Sequence, residues 1–82
     1  MDIVYILHIK AMPGEEDIDW KVMKLMERKD MTLCLNRKYV CTMTREVYYH
    51  IRISRAMINR LRELIEAFVR CEELELFELT YW

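Results

Sequence analysis

The stretch that decides the fold is residues 47–71, VYYHIRISRAMINRLRELIEAFVRC. From residue 47 to residue 53 every second residue is apolar or aromatic, and the residues between them are Tyr48, His50 and Arg52, which predicts a half-buried strand. Ser54 is a favourable N-cap residue. From residue 55 to residue 71, apolar residues recur at spacings of three and four, which predicts an amphipathic helix. This segment alone therefore predicts a sheet with a helix packed on one face.

Residues 2–10 predict a second strand, because they are rich in β-branched and aromatic residues. Val4, Ile6, His8 and Lys10 share one phase of the alternation, and the purely apolar odd-numbered residues share the other. We expect the odd-numbered set to face the core. Met12-Pro13-Gly14 then ends the strand.

The remaining segments complete the element order. Residues 15–29 predict a helix, with acidic residues crowding its start and basic residues filling its end. Residues 31–53 predict strands, and the apolar segment 31–35 is either a short extra strand or the start of a long second strand. Residues 74–82 predict a last strand whose alternation slips at Leu76-Phe77, so we expect a bulge there or a helix that continues past Glu72.

The resulting order is β-α-β-β-α-β, in a single compact domain spanning residues 1–82. This order predicts an α+β, ferredoxin-like fold with two helices on one face of an antiparallel sheet. The opposite face of the sheet would then carry Val4, Ile6, His8 and Lys10 beside Tyr48, His50 and Arg52. Apolar residues on an uncovered face suggest that a second copy or a partner covers them.

Composition limits the class of protein. The chain has 82 residues, of which 54% are hydrophobic, so it can form one core and is not expected to be disordered. No apolar run approaches the ~20 residues of a membrane span, and the acidic N-terminus is not typical of a signal peptide. Three cysteines, each inside an apolar pattern, predict buried reduced thiols and a cytoplasmic location, which would be the host cytoplasm for a viral protein.

Charge is sorted along the chain. Residues 20–62 contain eleven Lys or Arg and only three acidic residues, whereas residues 1–19 and 63–82 are both acidic. The formal net charge of −1 therefore conceals a surface with basic and acidic regions. Such fields steer encounters and select partners, but they do not define a function by themselves.

No catalytic motif is present, so we expect a protein that is not an enzyme and that needs no cofactor. The chain lacks a Gly-rich phosphate loop, a nucleophile elbow and a His-Glu-x-x-His zinc motif. His8 and His50 fall on the same face of the predicted sheet, but the sequence offers no third ligand near them. We therefore expect no metal site.

The leading hypothesis is a small protein-binding module that inhibits or regulates a larger partner by covering its surface. A phage- or virus-encoded inhibitor of a host nucleic-acid-binding machine, for example a defence system, would suit this size and charge pattern. Its acidic ends would occupy a basic groove of the target, and its spare aromatic residues would anchor it. The expected partner contacts are His8, Trp20, Tyr48, His50, Arg52, Glu72, Glu73, Glu75 and Trp82.

Two alternatives stay open. A basic and aromatic sheet face is used by some single-stranded nucleic-acid binders, and the residues for that function would be Arg37, Lys38, Arg45, Tyr48 and Arg52. A sequence pI near 6.1 and the absence of an RNP1 motif weigh against it. The other alternative is a homodimer whose sheets stack face to face.

Overall fold

The computed structural model describes residues 2–82, which form a four-stranded sheet and two helices. In chain order the elements are β1 (Asp2–Ala11), α1 (Ile18–Arg28), a 3₁₀ turn (Thr32–Cys34), β2 (Leu35–Cys41), β3 (Glu46–Ser54), α2 (Arg55–Arg70) and β4 (Leu74–Tyr81). All pairings are antiparallel, and the spatial order is β2-β3-β1-β4. The predicted α+β, ferredoxin-like arrangement is confirmed.

The predicted phase of the two central strands is also confirmed. β1 and β3 pair with Leu7 opposite Tyr49, and both of these residues are fully buried. Both helices cover this inner face of the sheet, because their apolar stripes belong to the same buried cluster. The helix residues in that cluster are Ile18, Val22, Met26, Ile58, Leu61 and Ile65.

The first helix starts three residues later than predicted. Gly14 has a φ of +93°, a left-handed conformation that favours glycine, and it allows the chain to turn after Pro13. The Glu15 N–H then donates to the Met12 carbonyl, and the Ile18 N–H donates to the Glu15 carbonyl. The acidic residues 15–17 therefore lie in turns that lead into α1.

The segment 31–35 is not an extra strand. Met31 is fully buried, but Leu33 is 97% exposed and lies within the 3₁₀ turn, so the apolar alternation of this segment does not correspond to two faces of a strand. The turn carries the chain from the end of α1 to β2, and Met31 caps this edge of the core.

The slip in the last strand is a bulge, one residue before the predicted position. Lys10 pairs with Leu76, whereas the next residue, Ala11, pairs with Leu74, so Glu75 has no partner in the register. The bulge returns Leu74 to the buried side, while Leu79 and Phe77 follow the normal alternation.

Among residues 2–82, no helix is both long enough and apolar enough to cross a membrane. The expectation of three buried cysteines is wrong for two of them and holds only in part for the third. Cys41 at the end of β2 and Cys71 at the end of α2 are exposed, and Cys34 is half-buried. Their apolar neighbours in sequence do not bury them because each exposed thiol lies where an element ends.

Candidate functional site: the outer face of the sheet

The face of the sheet opposite the helices, here called the outer face, carries the side chains that the alternation predicted. Val4 pairs with Arg52, Ile6 with His50 and His8 with Tyr48 across β1 and β3. None of these positions belongs to the buried core. The helices therefore leave the outer face uncovered, and its two ends differ in chemistry.

One end of the outer face holds a row of three rings. The Tyr39 ring lies edge-on to His50 with centroids 5.4 Å apart, and the Trp82 ring lies on the other side of His50 at 4.7 Å. The exposed fractions are 49% for Tyr39 and 73% for Trp82. Trp82 reaches this row because its backbone N–H donates to the Val4 carbonyl at 3.0 Å, which extends the β4 pairing by one residue.

Two arginines flank this row. Arg37 is opposite His50 on β2, and Arg52 follows His50 on the same face of β3. Both are exposed, and no carboxylate within residues 2–82 lies within 4.0 Å of either guanidinium group. We call the set Val4, Arg37, Tyr39, His50, Arg52 and Trp82 the basic–aromatic patch. It lines a shallow groove of about 330 Å³.

The other end of the outer face holds a second group of contacting side chains, which we call the His8 cluster. Its members are His8, Glu46, Tyr48 and Glu78. His8 Nε2 lies 3.1 Å from Glu46 Oε2, and its Nδ1 lies 3.9 Å from Glu78 Oε2. The Tyr48 ring stacks flat on the imidazole at 4.2 Å, and the Tyr48 hydroxyl donates to Glu46 Oε2 at 3.0 Å. The hydrogen bond from Tyr48 and the contact with His8 lower the pKa of the Glu46 carboxyl group.

The hydroxyl of Tyr48 is affected in the opposite direction. Its pKa is raised, first by the hydrogen bond to Glu46 and then by burial. His8 and Tyr48 thus share the carboxylate of Glu46, and neither lines the groove that contains His50 and Arg52, with which the sequence had grouped them.

Lys38 and Arg45 do not join the basic–aromatic patch. Lys38 lies on the helix side of β2, where its Nζ donates to Asp19 Oδ2 at 2.8 Å. Arg45 has a left-handed φ of 59° in the β2–β3 turn, and its Nε donates to the Ala11 carbonyl at 3.1 Å. With Tyr48 in the His8 cluster, the predicted nucleic-acid residues thus divide among four places, and only Arg37 and Arg52 share the groove.

The acidic residues expected to contact a partner are largely paired. Glu73 and Glu15 accept hydrogen bonds from Lys21 Nζ at 3.0 and 3.1 Å. Those two hydrogen bonds, Glu73 first, raise the pKa of the Lys21 ammonium group. Glu75 lies 3.6 Å from both Lys10 and Arg45. The structure therefore brings the acidic start of α1 to the α2–β4 turn, around one lysine.

Glu72, Trp20 and Tyr81 lie elsewhere. Glu72 is exposed in the α2–β4 turn, with a left-handed φ of 58°. Trp20 is 62% exposed on α1, and the Lys24 ammonium group lies 5.6 Å from its ring. Tyr81 stacks on Tyr5 at 5.1 Å, at the helix side of the sheet. Trp20 and Trp82 thus lie on opposite sides of the molecule.

The sequence reasoning left Tyr39 out of the candidate site, whereas it had already placed Val4 on the outer face. Tyr39 lies on the short edge strand β2, six of whose seven residues are exposed. Because neither face of β2 is consistently buried, the alternation of its residues could not predict which face Tyr39 occupies. Val4 could be found from its phase on β1, which it shares with His8, but only the register with Arg52 and Trp82 places it in the groove.

No metal site emerges from the described part of the chain, where no three His, Cys, Asp or Glu side chains are placed to share an ion. Comparisons of the chain with models of protein families, with curated protein sequences and with solved structures find no match. The fold thus defines the class of protein, a small ferredoxin-like α+β domain. Its function has to be inferred from the surface chemistry.

Proposed function

We propose that the protein is a non-enzymatic binding module whose basic–aromatic patch docks on an acidic surface of a partner protein. The observation that supports this proposal most is the contiguous row Tyr39–His50–Trp82, flanked by two arginines without carboxylate partners in the described chain. Trp, Tyr and Arg are the residues most enriched in interface hot spots. The patch combines all three within one shallow groove.

The rest of the outer face suits a protein partner better than a polyanion. Ile6 is half-buried and lies between the patch and the His8 cluster, so it adds apolar area to the surface. Glu46 and Glu78 follow at the other end, and their carboxylates would repel a phosphate chain that crossed the whole sheet. A partner protein whose surface carries both acidic and basic groups can pair with the arginines at one end of the outer face and with the glutamates at the other.

Blocking a functional surface of the partner would make the module an inhibitor or regulator, because occlusion needs no chemistry of its own. A virus-encoded inhibitor of a host protein is the setting we propose for such a small domain. In the acidic ends, Lys21 pairs with Glu15 and Glu73, and Lys10 pairs with Glu75. Our proposal therefore relies on the patch and not on the acidic ends.

The test starts with capture of a partner from a lysate of the organism that carries the gene, followed by titration of the purified partner. Trp82→Ala and Arg52→Ala should each weaken binding by about 30-fold, the effect of a hot-spot loss of ~2 kcal/mol. Trp20→Ala and Arg60→Ala are matched controls, because they remove an exposed tryptophan and an exposed arginine from the helices. Equal losses in all four variants would contradict the proposal.

A second candidate is a single-stranded nucleic-acid binder that uses the same patch. The specific observation in its favour is the exposure of the Trp82 and Tyr39 rings beside Arg37 and Arg52, since bases stack on such rings while arginines contact phosphates. Its footprint would be short, because the groove ends at the His8 cluster.

Salt dependence tests this second candidate. Titration of labelled oligouridylate and oligothymidylate should give a log–log salt slope of roughly −0.7 for each phosphate contacted. Arg52→Ala should then make the slope less negative by about 0.7, whereas Arg60→Ala should leave it unchanged. Absence of any binding at low ionic strength would exclude this candidate and leave the protein-binding proposal intact.

A further inference from the structure

The groove lined by the basic–aromatic patch has an apolar half and a cationic half, and the strand register places them side by side. Trp82 lies beside Val4 of β1, and Val4 is opposite Arg52 of β3. Arg37 on the edge strand β2 is opposite His50, which is two residues from Arg52 on β3. Across the sheet, the groove therefore passes from an indole ring and a valine to two guanidinium groups.

The cationic half has hydrogen-bond donors without anionic partners. No carboxylate of residues 2–82 lies within 4.0 Å of the guanidinium group of Arg37 or Arg52. Asn36 and Tyr39 add a side-chain amide and a hydroxyl group to the lining, and none of the described residues that line the groove is acidic. The two carboxylates of the His8 cluster lie outside it. The groove therefore favours an anionic ligand with several acceptor oxygens.

We infer, on the basis of the function proposed above, that the acidic group held by the patch is a phosphotyrosine side chain of the partner protein. A carboxylate has two oxygen atoms, and one guanidinium group can satisfy both. A phosphate monoester carries close to two negative charges and three strong acceptor oxygens, so it can pair with Arg37 and Arg52 together. Two free arginines in one groove therefore suit a phosphate better than a single carboxylate.

The apolar half of the groove selects tyrosine among the phosphorylated residues. Neighbouring strands lie about 4.8 Å apart, which is close to the distance from the ring centre to the phosphate oxygens in phosphotyrosine. A ring that lies over Val4 and packs against Trp82 therefore places its phosphate near Arg52 on the next strand. Phosphoserine and phosphothreonine have no ring, so they would leave Val4 and Trp82 without a contact. A nucleic acid also combines rings with phosphates, but the carboxylates of the His8 cluster would repel its next phosphate.

The first test uses the peptide acetyl-Gly-Ser-phosphotyrosine-Ser-Gly-amide and three versions with tyrosine, glutamate or phosphoserine at the central position. Trp20→Phe protein is titrated, because Trp82 is then its only tryptophan and reports binding at the groove by its fluorescence. The phosphotyrosine peptide should bind about tenfold more tightly than each of the others, since each lacks either the charge-assisted hydrogen bonds or the aromatic contact. Equal affinity for the glutamate or the phosphoserine peptide would overturn the inference.

Two variants separate a defined site from general electrostatic attraction. Arg52→Lys keeps the charge but cannot form two parallel hydrogen bonds to a phosphate, so it should weaken binding of the phosphotyrosine peptide about tenfold. Arg60→Lys makes the same change at an exposed position of α2 and is the matched control. Trp82→Ala should remove the preference for phosphotyrosine over phosphoserine in calorimetric titrations, whereas Trp20→Ala should preserve it. An unchanged affinity in Arg52→Lys, or an unchanged preference in Trp82→Ala, would contradict the inference.

Two further measurements identify the source of the phosphate. Thymidine 5′-monophosphate should bind more weakly than the phosphotyrosine peptide, and tighter binding of the nucleotide would assign the groove to nucleic acid and overturn the inference. Treatment of the captured partner with a tyrosine phosphatase should abolish its binding. If the treated partner binds as before and Trp82→Ala still weakens it, the inference fails and the proposed function stands. If neither Trp82→Ala nor Arg52→Ala weakens binding of the partner, the proposed function itself fails.

Discussion

At the residue scale, Asp19 connects three elements through its carboxylate. The Tyr49 hydroxyl, on a fully buried ring of β3, donates to Asp19 Oδ1 at 2.8 Å, and Lys38 of β2 donates to Oδ2. Burial, and then this hydrogen bond, raise the pKa of Tyr49 far above its usual range. The start of α1 is thus fixed to two strands through a single residue, whose role is structural.

Asp19→Ala should therefore destabilise the protein more than Tyr49→Phe. The first change leaves a buried hydroxyl without its acceptor, which costs about 1–3 kcal/mol, whereas the second removes the hydroxyl and costs about 1 kcal/mol. Urea denaturation of both variants measures the difference. A smaller loss for Asp19→Ala would show that water replaces the carboxylate.

A second prediction concerns Glu46 and pH. Its folded-state pKa is lowered, first by the Tyr48 hydrogen bond and then by His8, so its contribution to stability is complete above the pKa of the unfolded chain. The contribution is lost as the pH falls through the lower, folded-state pKa. The stability gap between the native protein and Glu46→Gln should therefore be larger at about pH 6 than at about pH 3, which lies below the ordinary Glu pKa of about 4.3. Denaturation curves that differ equally at both pH values would contradict this.

At the element scale, each helix is followed by a residue with positive φ, two positions after its last residue. Asp30 follows α1 with a φ of 57°, and Glu72 follows α2 with a φ of 58°. The next residues close the helix ends, since the Met31 N–H donates to the Met26 carbonyl and the Glu73 N–H donates to the Phe68 carbonyl. Glycine is the usual residue at this position, because it has no Cβ to strain the left-handed conformation.

Glu72→Gly should therefore stabilise the protein by about 1 kcal/mol. Asp30→Gly is the matched comparison, and its gain should be smaller because aspartate tolerates the left-handed region better than glutamate does. Thermal or urea unfolding measures both effects. No gain from Glu72→Gly would show that the Glu72 side chain makes a compensating contact.

The sequence predicts elements well where alternation or helical spacing persists over several residues. β1, β3 and α2 each bury one consistent face, so their positions and phases follow directly from the apolar pattern. The start of α1 and the segment 31–35 could not be found in this way. The start of α1 depends on the turn at Gly14, and the path of residues 31–35 depends on the burial of Met31 in the core. Neither feature produces a periodic pattern in the sequence.

At the scale of the whole molecule, the sequence predicted segregated charge, and folding changes what that charge can do. The two acidic blocks meet around Lys21, and part of the basic block is used to pair them. Only long-range contacts reveal which charges stay free, so the sequence could identify His50 and Arg52 as surface residues but not their separation from Lys38 and Arg45.

Lys21→Met should lower the melting temperature, because it leaves Glu15, Asp17 and Glu73 facing one another between α1 and the α2–β4 turn. Added salt should reduce the difference from the native protein, since it screens repulsion between carboxylates. Lys29→Met, an exposed position without an ion pair among the described residues, is the control. Equal melting temperatures for the two variants at low salt would contradict this role.

The positions of Trp20 and Trp82 on opposite sides have a practical consequence. Each indole is a natural fluorophore, so Trp20→Phe and Trp82→Phe produce two proteins that emit from one side only. Quenching by acrylamide then reports shielding of each side separately, without an attached dye.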